Sequence, residues 1–116
     1  MKHYMAIFLG TPNAVGDWRK NMTPEIEAKM KEGMMAWGKW MEDHKADIVY
    51  VGSPLGKTKK VNKDGISDTK NELGAYVVVQ AVSHDESAKM FLNHPHFMIF
   101  PGDRVEVMEQ IAIPKM

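Results

Sequence analysis

Hydrophobic and polar positions along the chain change period four times, and each change predicts an element. From Lys2 to Leu9 apolar side chains fall on both faces of an extended segment, with Met5, Ile7 and Leu9 on one and Tyr4, Ala6 and Phe8 on the other. A strand apolar on both sides is predicted to be central and covered twice. Gly10-Thr11-Pro12-Asn13 then breaks it. From Thr23 the period becomes helical. Thr23 suits the N-cap, Pro24 the first helical position, and Glu25 and Glu27 the positive end of the helix dipole. Ile26, Met30, Gly33, Met34, Trp37, Trp40, Met41 and His44 fall on one stripe, which predicts a long helix lying on a sheet.

Asp47 to Ser53 reads as a strand, ended by Gly52-Ser53-Pro54-Leu55-Gly56. A polar excursion follows, and Lys63-Asp64-Gly65 is a turn signal with short pairing expected on either side. Gly74 to Val82 is the strongest strand, with Tyr76, Val78 and Val82 on one face and Ala75, Val77, Val79 and Ala81 on the other. Ser83-His84-Asp85-Glu86 is a capping box. It opens a second helix to about Asn93, buried through Ala88, Phe91 and Leu92 and stopped by Pro95. The last strand is expected from Arg104 to Ile113, with Val105, Val107, Ile111 and Ile113 on one face.

The order β-α-β-β-α-β is that of an α+β, ferredoxin-like fold, with helices on one face of an antiparallel sheet. The other face then needs a cover, and Tyr4, Phe8, Tyr76 and Val78 are the residues expected to need it. A second copy of the same sheet is the simplest cover, which predicts a homodimer.

Composition adds limits. The 116 residues predict one domain, 1–116, and 44% hydrophobic with 26% charged residues is ordinary for a globular chain. Fifteen basic and fifteen acidic residues cancel, whereas a nucleic-acid binder carries a basic excess. The one basic cluster, Lys57, Lys59, Lys60 and Lys63, reads as a solvated loop. No cysteine is present, which removes disulfides, thiolate catalysis and Cys-zinc sites and fits a cytoplasmic protein. No run is long enough to span a bilayer, and the N-terminal apolar run is short for a signal peptide.

The helix segment Trp37-Gly38-Lys39-Trp40-Met41, then Gly52-Ser53-Pro54-Leu55, Gly74-Ala75-Tyr76-Val77-Val78-Val79, His94-Pro95-His96-Phe97 and Val105-Glu106-Val107-Met108 form a familiar string. Nearly the whole chain resembles the YCII-related family, in particular its DGPF-domain-like branch. The resemblance implies a dimeric α+β barrel with a pocket between sheet and helices. It also implies a His and an Asp for acid/base or dehalogenation-type chemistry, the His near the start of the first helix. Here no histidine lies between His3 and His44, so that dyad does not carry over.

His94 and His96 are the candidate catalytic pair. His94 is expected at a helix C-terminus, where the dipole favours the imidazolium, with Pro95 fixing both rings. The plainer reading is a helix cap and a loop histidine. Trp37, Ser53, His44 and Tyr4 complete the candidate substrate-binding set. Trp37 and Trp40 at helical spacing also suit a core, and His44 also suits a helix-end cap. A metal held by His94, His96 and Asp103 lacks a recognisable further pair of ligands, so neither metal nor cofactor is expected. The eleven methionines suit a soft pocket or a forgiving dimer core. Two functions stay open: small-molecule binding with histidine acid/base chemistry on a small polar or aromatic substrate, or a non-catalytic dimeric accessory module that has lost the dyad.

Overall fold

The computed structural model describes residues 1–12 and 14–114. Its elements are β1 (Lys2–Leu9), α1 (Ala14–Lys20), α2 (Pro24–Asp43), β2 (Ile48–Tyr50), β3 (Thr58–Asn62), β4 (Gly65–Thr69), β5 (Leu73–Ala81), α3 (His84–Lys89), α4 (Pro95–Met98) and β6 (Arg104–Glu109). Strands β2, β5, β1 and β6 lie side by side in that order, and each neighbouring pair is antiparallel. This is the α+β, ferredoxin-like arrangement that the element order implies. The two most apolar strands, β1 and β5, occupy the centre.

The register decides what each face carries. Tyr4 pairs with Val79, Ala6 with Val77 and Phe8 with Ala75, so these residues share a face. Val105 and Val107 join them from β6. Trp40 and Phe91 pack on this face, with Trp37, Met41 and Met90 half-buried around them. The Trp40 indole N–H donates to the Met90 carbonyl at 2.8 Å, tying α2 to the segment after α3. Met5 pairs with Val78 and Met108, and Ile7 with Tyr76 and Glu106. Those residues point away from the helices, because side chains alternate along a strand. The expectation that Tyr4 and Phe8 lie on the uncovered face with Tyr76 and Val78 is therefore corrected. Directly opposed residues share a face, and Tyr4 and Phe8 oppose Val79 and Ala75.

Helix α2 starts as expected, with the Thr23 hydroxyl accepting the Ile26 amide at 3.2 Å and Pro24 in the first turn. Its stripe buries Gly33 and Trp40, but Met34 is 68% exposed. Helix α1 has no counterpart in the sequence pattern; it is seven residues long with no buried residue. The Ser83 hydroxyl accepts the Glu86 amide, yet Glu86 pairs with Lys89 rather than reaching back to the cap.

Helix α3 ends sooner than expected. Phe91, Leu92 and His94 each donate to a carbonyl three residues back, and Asn93 adopts φ 59°, so the chain tightens and leaves the helix. Ser87 and Phe91 face the core, whereas Leu92 is 70% exposed and Ala88 is exposed. Strand β6 stops at Glu109, and one further backbone bond, from the Gln110 amide to the His3 carbonyl, follows it. Ile111 and Ile113 lie outside the strand and are exposed. The strand expected from Asp47 to Ser53 keeps only Ile48–Tyr50, followed by a single bridge between Pro54 and Ala75.

Strands β3 and β4 form a separate hairpin around the Lys63-Asp64-Gly65 turn, where Gly65 takes φ +114°. The basic cluster runs into β3 rather than lying in a loop. Val61 opposes Ile66 on the hairpin, and both are more than 70% exposed.

Candidate functional site

His94 and His96 are brought together by α4. His94 is its N-cap, and Nδ1 of His94 accepts the backbone N–H of His96 at 3.0 Å. The expected placement of His94 at a helix C-terminus is corrected: α3 has already ended at Lys89, and His94 stands before the next helix. Pro95 suits the first position of that helix, since it has no N–H to leave unpaired. The expected imidazolium is corrected too. His94 is fully buried, and burial, with His96 and His44 nearby, lowers its pKa from 6.5 to about 3. The ring is neutral at pH 7. Because Nδ1 accepts a hydrogen bond, the proton sits on Nε2.

That Nε2–H is buried and, among the described residues, has no hydrogen-bond partner. Its surroundings are aromatic. The Trp37 ring lies 4.6 Å from the His94 ring, nearly perpendicular, with Trp40 and Phe8 each at 4.9 Å and Phe91 at 6.0 Å. Ring faces accept an N–H only weakly, so His94 holds a donor whose full hydrogen-bonding capacity is unused.

His96 is half-buried, and its Nε2–H donates to the Leu9 carbonyl at 2.8 Å. Burial lowers its pKa; the Leu9 and Arg104 backbone and the Asp103 charge oppose that shift. Gly102 lies against this ring so closely that an added Cβ would overlap it. Outside the pair, Phe100 stands 6.0 Å from Trp37 and 6.2 Å from Trp18 of α1. Phe100 lies against α2 at Gly33, where a Cβ would strike its ring.

The other expected site residues separate. Trp37 joins the histidines. His44 caps α2, its Nδ1–H donating to the Trp40 carbonyl at 2.8 Å and its ring 4.6 Å from Trp40. Tyr4 is buried on the same sheet face as Phe8, four residues or about 13 Å along the strand. Its ring stacks on His84 at 5.2 Å. Ser53 is exposed in the loop after β2, and among the described residues no side-chain hydrogen bond joins it to the histidines. Among the described residues no group of three His, Cys, Asp or Glu is placed to hold a metal, so His94, His96 and Asp103 do not form one. Two surface crevices, of about 300 Å³ beside Met41 and Ile48 and about 490 Å³ beside His3 and Glu109, include neither histidine.

Phe8, Phe91 and Phe100 also surround the site, and no motif in the sequence marks them as neighbours of the histidines. Phe8 was legible once its strand register was known. Phe100 lies in a segment with no period, and nothing in the pattern marked it.

No family model matches the chain, and no curated protein matches it in sequence. Among solved structures, the fold is similar to that of 5-chloro-2-hydroxyhydroquinone dehydrochlorinase from Burkholderia phenoliruptrix AC1100, in complex with 2,5-dihydroxybenzoquinone. The likeness covers 94% of this chain and 93% of that one, with a TM-score of 0.56 and 18% identity. It shows the shared α+β fold. No helix of the described residues is long and apolar enough to cross a membrane.

Proposed function

We propose that this chain binds a small polar or aromatic molecule beside His94 and His96, within a YCII-like homodimer. The observation that carries this reading is the unpartnered Nε2–H of His94. A buried donor left without a partner costs about 1–3 kcal/mol, and an oxygen on a ligand would relieve that cost. A neutral imidazole in such surroundings serves as a donor that polarises or anchors an oxygen, with the proton staying on Nε2. His96, less buried, is the member of the pair suited to exchanging a proton. Trp37 supplies a flat wall for a ring.

The homodimer is supported by shape and by the outer sheet face. The chain extends 54 × 44 × 18 Å with a radius of gyration of 16.1 Å, against ~13 Å for a compact chain of this length. Met5, Ile7, Tyr76, Val78 and Met108 form an apolar strip facing away from the helices.

One observation favours the second reading, a non-catalytic accessory module. His94 is fully enclosed, and a histidine that caps a helix inside a core needs no ligand to explain its cap.

A thermal-shift screen separates the two. The panel holds small organic acids, phenols, nucleotides, divalent metals and hydroxylated quinones, the last because the structural neighbour was solved with one. A ligand that binds the native state raises the melting temperature. A shift that His94→Asn abolishes supports the first reading, since Asn keeps an N-cap acceptor and removes the ring N–H. No shift across the panel supports the accessory module.

A further inference from the structure

Helix α1 is the least anchored helix of the fold. None of its residues is buried, and only Ala14 and Trp18 are half-buried, the other five being exposed. Its recorded aromatic contact is Trp18 on Phe100, at 6.2 Å and 37° between planes. Phe100 in turn belongs to the histidine segment: its amide and that of Ile99 both donate to the Pro95 carbonyl. The rings continue inward from Phe100 to Trp37 at 6.0 Å and from Trp37 to His94 at 4.6 Å. The seat of Phe100 on α2 is made by Gly33, where any side chain would collide with the ring.

These facts leave a question that the histidine site alone does not answer. His94 is fully buried, so a ligand needs a route to its Nε2. The core side is filled by Phe8, Trp40 and Phe91. On the remaining side Trp37 covers His94, Phe100 lies against Trp37, and Trp18, on a short helix with no buried residue, lies against Phe100. Local opening is cheapest where buried apolar contact is least.

We propose that Trp18 and Phe100 form an aromatic gate, with α1 as the moving part, that controls access to His94 and His96. This rests on the reading of the two histidines as a ligand site, but the gate itself is testable without any ligand. In the open state Trp18 leaves Phe100, Phe100 becomes free to lift from Gly33, and Trp37 and the histidines become reachable. A planar ligand entering this way would pass from Phe100 to Trp37, exchanging one ring contact for another of similar strength.

The test is the rate at which diethyl pyrocarbonate modifies His94 and His96 in the whole chain, read peptide by peptide by mass spectrometry. Exposed His3 is the internal reference. Trp18→Ala is expected to speed modification of buried His94 and half-buried His96 by roughly three- to tenfold, the population change that losing one aromatic pair produces. Trp18→Phe keeps a ring on Phe100 and should stay near the native rate. Unchanged rates in a folded Trp18→Ala protein would overturn the gate. Should Trp18→Ala fail to fold, the native protein decides. Local opening predicts a rate that barely responds to sub-denaturing urea, and a rate that follows urea as steeply as global unfolding overturns the proposal. A gate that passes beside an empty thermal-shift screen leaves the ligand reading in difficulty and the gate intact. The converse result removes the gate and leaves the site.

Discussion

The backbone N–H of His96 donates to Nδ1 of His94 at 3.0 Å, and this one bond fixes which nitrogen of the buried ring carries the proton. It is both a helix cap and a constraint on chemistry. A protonated His94 would lose the acceptor, break the cap and place a charge among four aromatic rings. The lowered pKa follows from burial first and from the neighbouring histidines second.

The acid dependence of stability follows with a definite sign. His94 titrates at about 3 when folded against 6.5 for an unperturbed histidine. Between these values the unfolded chain binds a proton that the folded chain does not. The contribution is fully present above pH 6.5 and is lost as pH falls toward 3, at about 1.4 kcal/mol per pH unit within that window. Urea unfolding at pH 7, 6, 5 and 4 checks it against His94→Asn, which should show a shallower acid slope. The His94 ring resonances in NMR should not titrate between pH 5 and 8. A His94 midpoint near 6.5 would contradict the burial argument.

Truncating His94 tests packing and capping together. His94→Ala removes a fully buried ring and the cap acceptor, and should destabilise by about 2–4 kcal/mol. His94→Asn keeps an acceptor and should recover about 1 kcal/mol of that. Denaturant melts of the two variants decide, and equal losses would show that the cap contributes nothing.

Much of this fold was legible because the sequence encodes it locally. The Thr23 cap, the Pro24 start, the α2 stripe, the Lys63-Asp64-Gly65 turn and the apolar β5 strand each carry their own signal. The misplacements came from non-local facts. Tyr4 and Phe8 could be assigned to a face only through their pairing with Val79 and Ala75, a register set across about seventy residues of chain. Ile111 continues the alternation of β6, but the ladder with β1 ends at the Tyr4–Glu109 pair, and alternation without ladder bonds is not a strand. Helix α1 has one aromatic anchor and no stripe, so periodicity could not find it. The proximity of His94, His96 and Trp37 was expected in part, whereas the inversion of the His94 environment was not. A histidine before Pro95 reads equally as the end of one helix or the cap of the next, and those two placements favour opposite protonation states.

Gly102 should be intolerant of a side chain. Its Cβ position overlaps the His96 ring and the His96 carbonyl. Gly102→Ala should therefore destabilise by about 1–3 kcal/mol and displace His96 from the Leu9 carbonyl. The displacement is read as loss of the slowly exchanging His96 Nε2–H signal in NMR. Retention of that signal with full stability would mean the loop yields instead.

The β3–β4 hairpin should be the first part of the isolated chain to exchange. Its two strands pair only with each other, and Val61 and Ile66 are exposed. A lone hairpin is marginally stable in water. Amide exchange in Thr58–Thr69 should be at least about a hundredfold faster than in Val77–Val79, where opening requires global unfolding. Strong protection in the hairpin at low protein concentration would mean that it packs on the body of the chain.

The outer sheet face decides the oligomeric state. Met108 opposes Met5 across the β1–β6 pair, and Val78 opposes Met5 across the β1–β5 pair, so Met5 is the centre of the strip. Tyr50 and Tyr76 stack at 6.1 Å beside it. If a second copy covers this strip, light scattering at micromolar protein gives twice the chain mass. Met108, 41% exposed in the single chain, is the position where a charge does least harm to the fold. Met108→Glu should leave the circular dichroism spectrum unchanged, because the side chain has solvent to reach in the monomer. In the dimer the same carboxylate would be desolvated beside Glu106 without a new partner, at a cost of a few kcal/mol. Each 1.4 kcal/mol weakens association tenfold, so the variant should run as a monomer where the native chain runs as a dimer. A native monomer would remove the homodimer from the proposed function. A native dimer untouched by Met108→Glu would keep the dimer and move its interface elsewhere.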